Sequence, residues 1–574
     1  MRQTAKTAAP VESILSRMSI DDKIGQCLTF EFVGTRITAG LRDKILKLRC
    51  GGLRVTPHVH EALPYGVRRG KAGDVQRRAP WAGPEQYAEL INEVQAMAMS
   101  RDPAIPLHVS IDFEGDLSAQ LGKGGVHLLP SAMGMRATGD LALAREGWRV
   151  LARQLRAAGI NMLHSPNVDI DALPNNAAIG PRAFADTPRE CARWGVAMAE
   201  TLVAEGIIAT AKHFPGLGFT RVDTHFDIDT DTRSLDEMMA NELYPYRQLI
   251  RAGVPAIMPS HTAYPALDPA GRPATISRPI IEFTRKVLRF DGVLATDSMG
   301  MAGVVKMCGD SIPLAAKAAL AAGSDLILVK TVEEMEAETV SVIRQAVEAG
   351  EITEADLDAH VRRILAMKAR FGLFTRYPLD PSAAGIVLRS PRNRRTVAAI
   401  AAKCCTLLCD EDGLLPLRPE ARVLCVEPYF PLLHDQGNDY WWHSDMLQEF
   451  LSAYSPNVRS HEIINAGTDE DLAAILEKSK AADIIVAVCH KSSSFPTNRD
   501  LVQKLIEAGR KVVVLSGTPY ELSIPPGART VLVTYGVVPP LLKNAAAVLY
   551  GERKPQGKWP LKNYRSPFEK RREK

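Results

Sequence analysis

Residues 140–169 read DLALAREGWRVLARQLRAAGINMLHSPNVD. Asp140 to Gly159 follow a helical pattern, and Ile160 to Asp169 form a short apolar strand ending on a carboxylate. The same rhythm repeats outward in both directions. Upstream lie IGQCLTFEF from Ile24, GGLRVT from Gly51 and PLHVSID ending at Asp112, with the helical EQYAELINEVQAMAMS between. Downstream lie IIATAKHF ending at Phe214, PAIMPSH at His261, GVLATDS at Ser298 and DLILVK at Lys330. Val-, Ile- and Leu-rich strands separated by helices signal parallel pairing with crossover helices, and eight of them are the number that closes a (β/α)8 TIM-like barrel.

The helical DLDAHVRRILAMKARFG ends at Gly372, and the following RYPLDPSAAG carries the Pro and Gly of a linker. Beyond it RVLCVEP, DIIVAVC, KVVVLSG and TVLVTYG alternate with DEDLAAILEKSK and NRDLVQKLIEAG, the pattern of a smaller open α/β sandwich domain. The expected division is a catalytic barrel over 1–380, a linker over 381–395, the sandwich over 396–565 and a charged tail over 566–574. The second domain has no Gly-rich phosphate cradle, which argues against a nucleotide site. Its DYWWHSD stretch, with Trp441, Trp442 and His443, reads as filling of a domain interface or as a platform for a sugar.

At 46% hydrophobic and 24% charged residues the 574-residue chain is globular rather than disordered. A net charge of +4 is too small for a nucleic-acid field, and no apolar run of about 18 residues exists. The opening MRQTAKTAAP lacks the apolar core of a signal peptide, so a cytoplasmic protein with no nucleic-acid or membrane partner is expected. Nine cysteines without a CxxC pair read as reduced thiols. Cys404, Cys405 and Cys409 in AAKCCTLLCD read as buried small side chains rather than ligands, so no metal and no cofactor are expected.

Barrel active sites sit at the C-terminal ends of the strands. Here those ends carry Asp112 and Glu114, Asp169, Lys212 and His213, His261, Asp297 and Lys330. Unpaired charge costs several kcal/mol to bury, so this set is expected to face a polar pocket. His261 fits a substrate contact or a core histidine bonded to backbone equally well. After the second strand, TPHVHEALPYGVRRGKAGDVQRRAPWAG at 56–83 far exceeds an ordinary βα loop. Its Arg68, Arg69, Lys71, Arg77 and Arg78 are expected at the catalytic rim, favouring an anionic substrate, unless the insertion is merely solvated.

Five segments form a compound pattern: IDFEG at 111–115, PNVDIDALPNNAAIGPRAF at 166–184, AKHFPGLGFTRVDTHFD at 211–227, IMPSHTAYPALD at 257–268 with PATISR at 273–278, and GVLATDSMGM at 292–301. Together with ELYPYRQLIRAG and the DEDGLLPL that opens the second domain, they resemble glycoside hydrolase family 3, specifically its bacterial β-N-acetylglucosaminidase branch in the two-domain form.

The resemblance implies a retaining, exo-acting β-glycosidase working through a covalent glycosyl-enzyme intermediate, with Asp297 as nucleophile. It makes His225 the general acid/base, in a mobile loop, with Asp223 orienting the ring. An imidazole titrates near pH 6.5 in model peptides, so it can give a proton to the leaving oxygen and later take one from water. Asp112, Arg182, Lys212 and His213 would hold the sugar hydroxyls, with Asp169 among them or behind them. The substrate implied is a terminal β-linked N-acetylhexosamine on a small soluble glycoside or cell-wall-derived fragment. Asp116, Leu117 and Gln120 stand where the family carries Gly, Arg and a further Arg, and Leu217 replaces a polar residue. These departures bear on the bound sugar and leave a catalytically lapsed glycan-binding relative open, while a histidine acid/base, carrying no fixed negative charge to repel phosphate, leaves a phosphorylase open.

Overall fold

The structure, a computed structural model, describes residues 10–56, 82–115, 118–119, 121–122, 125–173, 176, 178–222, 224–429, 445–464, 466–490, 496–566 and 568. Eight parallel strands form a ring: β1 (Leu28–Val33), β2 (Gly52–Thr56), β3 (His108–Ile111), β4 (Met162–Leu163), β5 (Ile208–Phe214), β6 (Ala256–Pro259), β7 (Val293–Leu294) and β8 (Ile327–Val329). They lie in the order β8-β1-β2-β3-β4-β5-β6-β7. The ring closes where Ala295 bridges Leu326, with the Thr296 amide donating to the Leu326 carbonyl at 2.8 Å. The expected barrel is therefore present.

The helix Leu141–Ala157 shows how local sequence builds the outer layer. Asp140 caps it by accepting from the Leu143 amide, and Ala144, Trp148, Leu151 and Leu155 put one buried face toward the ring. Gly159 then turns at φ +92° with Ile91 packed so close that a Cβ would meet its side chain at 2.6 Å.

Two strand expectations change. The first strand begins at Leu28 rather than Ile24, because Ile20–Gln26 is a helix fixed by a capping box between Ser19 and Asp22. The fourth is two residues long, and the chain through Asp169 continues as an extended loop held along β5 by the Asn167–Lys212 bridge and by the Val168 amide donating to the Lys212 carbonyl at 2.9 Å. Residues 381–395 contain the helix Pro381–Leu388 and the start of a second, Pro391–Cys404.

Among its described residues the C-terminal domain holds six strands: β9 (Thr406–Asp410), β10 (Val423–Tyr429), β11 (Val458–Ile464), β12 (Ile484–Cys489), β13 (Val512–Ser516) and β14 (Thr530–Val533). Their order is β9-β14-β13-β12-β10-β11, all parallel except β9 against β14. Alternate residues feed opposite faces. Val423, Cys425, Val486 and Val513 pack with the helices Met446–Ser452 and Pro539–Leu549, while Leu424, Val426, Ile485 and Val512 pack with Asp469–Ser479 and Pro496–Glu507. All nine cysteines are unbonded, and Cys404, Cys405 and Cys409 are buried as expected. The DYWWHSD aromatics lie outside the described residues.

The domains meet at specific bonds. The Ser131 amide donates to the Tyr535 carbonyl at 3.1 Å, and the Lys558 amide to the Ala137 carbonyl at 2.8 Å. Asp186, four residues past Arg182, accepts the backbone amides of Lys562, Asn563 and Tyr564 at 2.6–3.0 Å. Burial first, and the Asp186 charge second, push the neighbouring Asp171 carboxyl well above the ordinary carboxylate range. Asp171 thus keeps its proton in the folded protein after the unfolded chain has lost it, and stability falls as pH rises toward the folded value. Asp171→Asn, with no proton to lose, is expected to match the wild-type melting temperature at about pH 4 and exceed it at about pH 8. A difference that stays constant between those pH values would contradict this account.

Candidate active site

Four charged side chains interlock at the C-terminal mouth of the barrel. Lys212, from β5, reaches Glu114 at 2.5 Å and Asp112 at 3.2 Å. Arg182, from the turn Gly180–Arg182, grips Glu114 with Nε at 2.7 Å and Nη2 at 3.1 Å, and its Nη1 donates to the Ala178 carbonyl at 2.6 Å. Burial alone would neutralise these groups, but the pairing outweighs it. Lys212, His164 and Arg54 hold Asp112 well below the carboxylate range, and Arg182 and Lys212 do the same to Glu114. Lys212 is likewise raised by Glu114 and Asp112 against the cost of its burial.

The next layer centres on His213, joined to Lys212 by a cis peptide. Its Nδ1 donates to Asp169 at 2.7 Å, while Nε2 lies 3.4 Å from Arg182 Nη2 and 4.0 Å from Asp297 Oδ2. Asp169 also accepts the Leu217 amide at 2.8 Å. Its side chain is fully buried, whereas those of Asp112, Arg182 and Asp297 each keep 22% of their surface. Asp169 therefore stands behind His213 and orients it, and the pocket is walled by the other three with the edges of Lys212 and His213. Leu217 packs with Ile179 and Ala183 beneath the turn that carries Arg182.

Asp297 follows β7, and its Oδ1 accepts the Ser298 amide at 2.7 Å. Burial raises its pKa, but His213, His261, His225 and Lys212 together lower it further, leaving a carboxylate held below its ordinary range. His225 sits exposed in a turn whose Thr224 carbonyl accepts the Gly303 amide. His261 is the backbone-bonded alternative: Nε2 donates to the Ser298 carbonyl at 3.0 Å, Nδ1 lies 2.9 Å from the Thr275 hydroxyl, and burial lowers its pKa.

The structure thus gathers Asp112, Arg182, Lys212, His213, Asp169, Asp297 and His225 at one mouth. Asp223, Asp116, Leu117 and Gln120 lie outside the described residues, as do Arg68, Arg69, Lys71, Arg77 and Arg78. Sequence reasoning missed Arg54, Glu31 and His164. Arg54 bonds Asp112 through Nη2 at 2.7 Å and lies 3.6 Å from Glu31, which also stands 3.7 Å from Lys330. His164 Nδ1 lies 3.3 Å from Asp112. A charged residue inside an otherwise apolar strand, as in GGLRVT and LTFEFV, was the available signal. Among the described residues no cluster of His, Cys, Asp and Glu is placed to hold a metal ion, and no helix is long and apolar enough to cross a membrane.

This arrangement suits a polyol: carboxylates, a guanidinium, an ammonium and imidazoles line one pocket at the mouth. The N-terminal domain of glycosyl hydrolase family 3 matches residues 19–367, and the family's C-terminal domain matches 405–571. A β-N-acetylglucosaminidase/β-glucosidase of Cellulomonas fimi is 29% identical over 532 residues, covering 87% of this chain and 90% of that protein. A solved family 3 β-N-acetylglucosaminidase from Paenibacillus sp. str. FPU-7 superposes with a TM-score of 0.83 at 30% identity, over 95% of this chain and 99% of that one. A solved β-glucoside phosphorylase shares the fold, with a TM-score of 0.78 at 22% identity over 97% of each chain. With both family domains spanning the barrel, the sandwich and the residues gathered at the mouth, the chain belongs to glycosyl hydrolase family 3 and is a β-glycoside hydrolase.

Proposed function

We propose that this enzyme is a retaining, exo-acting β-N-acetylhexosaminidase in which Asp297 is the nucleophile and His225 the general acid/base. The carrying observation is that Asp297, with 22% of its side chain open at the barrel mouth, stands 4.0 Å from His213 Nε2 and is held below the ordinary carboxylate range by a surrounding group that includes His225. In the first half-reaction Asp297 attacks the anomeric carbon while His225 gives its proton to the departing glycosidic oxygen. In the second, His225 takes a proton from the water that cleaves the sugar–Asp297 ester and returns Asp297 as carboxylate. Asp223 would steady the His225 ring. Asp112, Arg182, Lys212 and His213 would bind the sugar hydroxyls, and Asp169 would fix the His213 ring. The names of the Cellulomonas and Paenibacillus relatives support an N-acetylglucosaminide as substrate. Nine cysteines without a disulfide support a reducing, cytoplasmic setting in which small soluble glycosides or cell-wall-derived fragments are cleaved.

The test is a panel of aryl β-glycosides differing at C2, run with and without phosphate. The N-acetylglucosaminide should be cleaved fastest, at a rate that phosphate leaves unchanged. Acceleration by phosphate with release of a sugar phosphate would establish the phosphorylase reading, which a histidine acid/base favours because it repels an incoming phosphate less than a carboxylate would. Binding without turnover of any member would establish the lapsed reading.

A further inference from the structure

We propose that Gly303 and Lys306, in the segment after Asp297, are positioning residues for the His225 imidazole; this rests on the acid/base role given to His225 above. Both neighbours of His225 are held by that one segment. The Gly303 amide donates to the Thr224 carbonyl at 3.1 Å. Lys306 Nζ donates to the Phe226 carbonyl at 3.4 Å and pairs with Asp227 at 2.8 Å. Gly303 lies in the first turn of the helix Ala302–Val305, where amides have no partner within their own helix, so its N–H is available to hold the turn.

The approach also favours glycine. A Cβ at 303 would lie 3.0 Å from the Thr224 carbonyl oxygen, 3.2 Å from that of Asp227 and 3.3 Å from that of His261. A side chain there is tight against all three oxygens, and the His225 turn is the side expected to give by a few tenths of an ångström. Packing holds the two sides of the turn unequally, since Thr224 is buried whereas Phe226 is 67% exposed. The Lys306–Asp227 pair is itself half exposed and contributes less than the backbone bond. His261 completes the support: its ring holds the Ser298 carbonyl and its own carbonyl borders the Gly303 site. The nucleophile loop and the acid/base turn thus share one wall.

The measurement is kcat/KM for Gly303→Ala and Lys306→Met on two substrates, one with a sugar or alkyl leaving group and one with a dinitrophenyl leaving group that departs without a proton. Gly303→Ala should slow the first about tenfold or more and the second less than about threefold, and Lys306→Met should change both in the same sense by less. Labelling of Asp297 by a fluorinated glycosyl fluoride, which also needs no acid, should proceed at the wild-type rate in both variants. Equal losses on both substrates, or none on either, would overturn the proposal, and Lys306→Met at an exposed site keeps the test open if Gly303→Ala folds poorly. His225→Ala is run alongside. If it shows the leaving-group dependence and Gly303→Ala does not, only the positioning proposal fails; if His225→Ala lacks it, the acid/base reading fails as well.

Discussion

Asp297→Ala is expected to lower kcat on an aryl β-N-acetylglucosaminide by on the order of 10⁴-fold or more while leaving the melting temperature close to that of the wild type. On the proposed mechanism the carboxylate would have two roles that no neighbour could assume. It would form the bond to the anomeric carbon, and its charge would stabilise the oxocarbenium-like transition state. The surroundings suit both, because His213 Nε2 stands 4.0 Å from Oδ2 and the carboxyl is held below its ordinary range. In the alanine variant, added azide should enter the space left by the carboxylate and give the α-glycosyl azide. A fluorinated glycosyl fluoride should add one sugar to the wild-type peptide holding Asp297, and the first product released should keep the β configuration. Retention of more than about 1% activity in Asp297→Ala, or label on another carboxylate, would remove Asp297 from its assigned role.

His225→Ala should give the second largest effect, and one of a different kind. General acid/base groups contribute about 10²–10⁴-fold, so a substrate with a poor leaving group should lose that much. A dinitrophenyl glycoside should still form the glycosyl-enzyme and show a burst of released phenol, followed by slow turnover because water no longer has a base. Azide, which needs no deprotonation, should restore the steady rate and give the β-glycosyl azide, the opposite anomer to that from Asp297→Ala. A uniform loss across leaving groups with no effect of azide would assign His225 to structure instead.

How far the fold could be read depended on burial. The barrel strands and the inner strands of the sandwich are buried on both faces, so they appear as nearly continuous Val, Ile and Leu runs that can be counted. The edge strand Val458–Ile464 was not found, because its central residues are half exposed and its sequence VRSHEII holds four polar residues, Arg459 to Glu462, in a row. The stretch from Ile24 to Gln26 suits a strand as well as a helix, and only the Ser19–Asp22 capping box decides it. In the site, strand-end ionisable residues were legible because a carboxylate or ammonium closing an apolar run is conspicuous. Arg54 and Glu31 were not, since their meaning lies in partners far along the chain.

The sequence by itself determined the number of barrel strands and the two-domain order, and its motifs singled out Asp297 and His225 as the candidates proposed for catalysis. It could not determine which carboxylates are clamped and which are presented. Glu114 is spent on Arg182 and Lys212, Asp169 stands behind His213, and Asp112 and Asp297 keep a face toward the pocket. These differences come from charge pairing and hydrogen bonding, which act over a few ångströms. Lys212 and Asp112 are 100 positions apart, and Arg54 and Asp112 are 58 apart, so those few ångströms exist only once the barrel has closed.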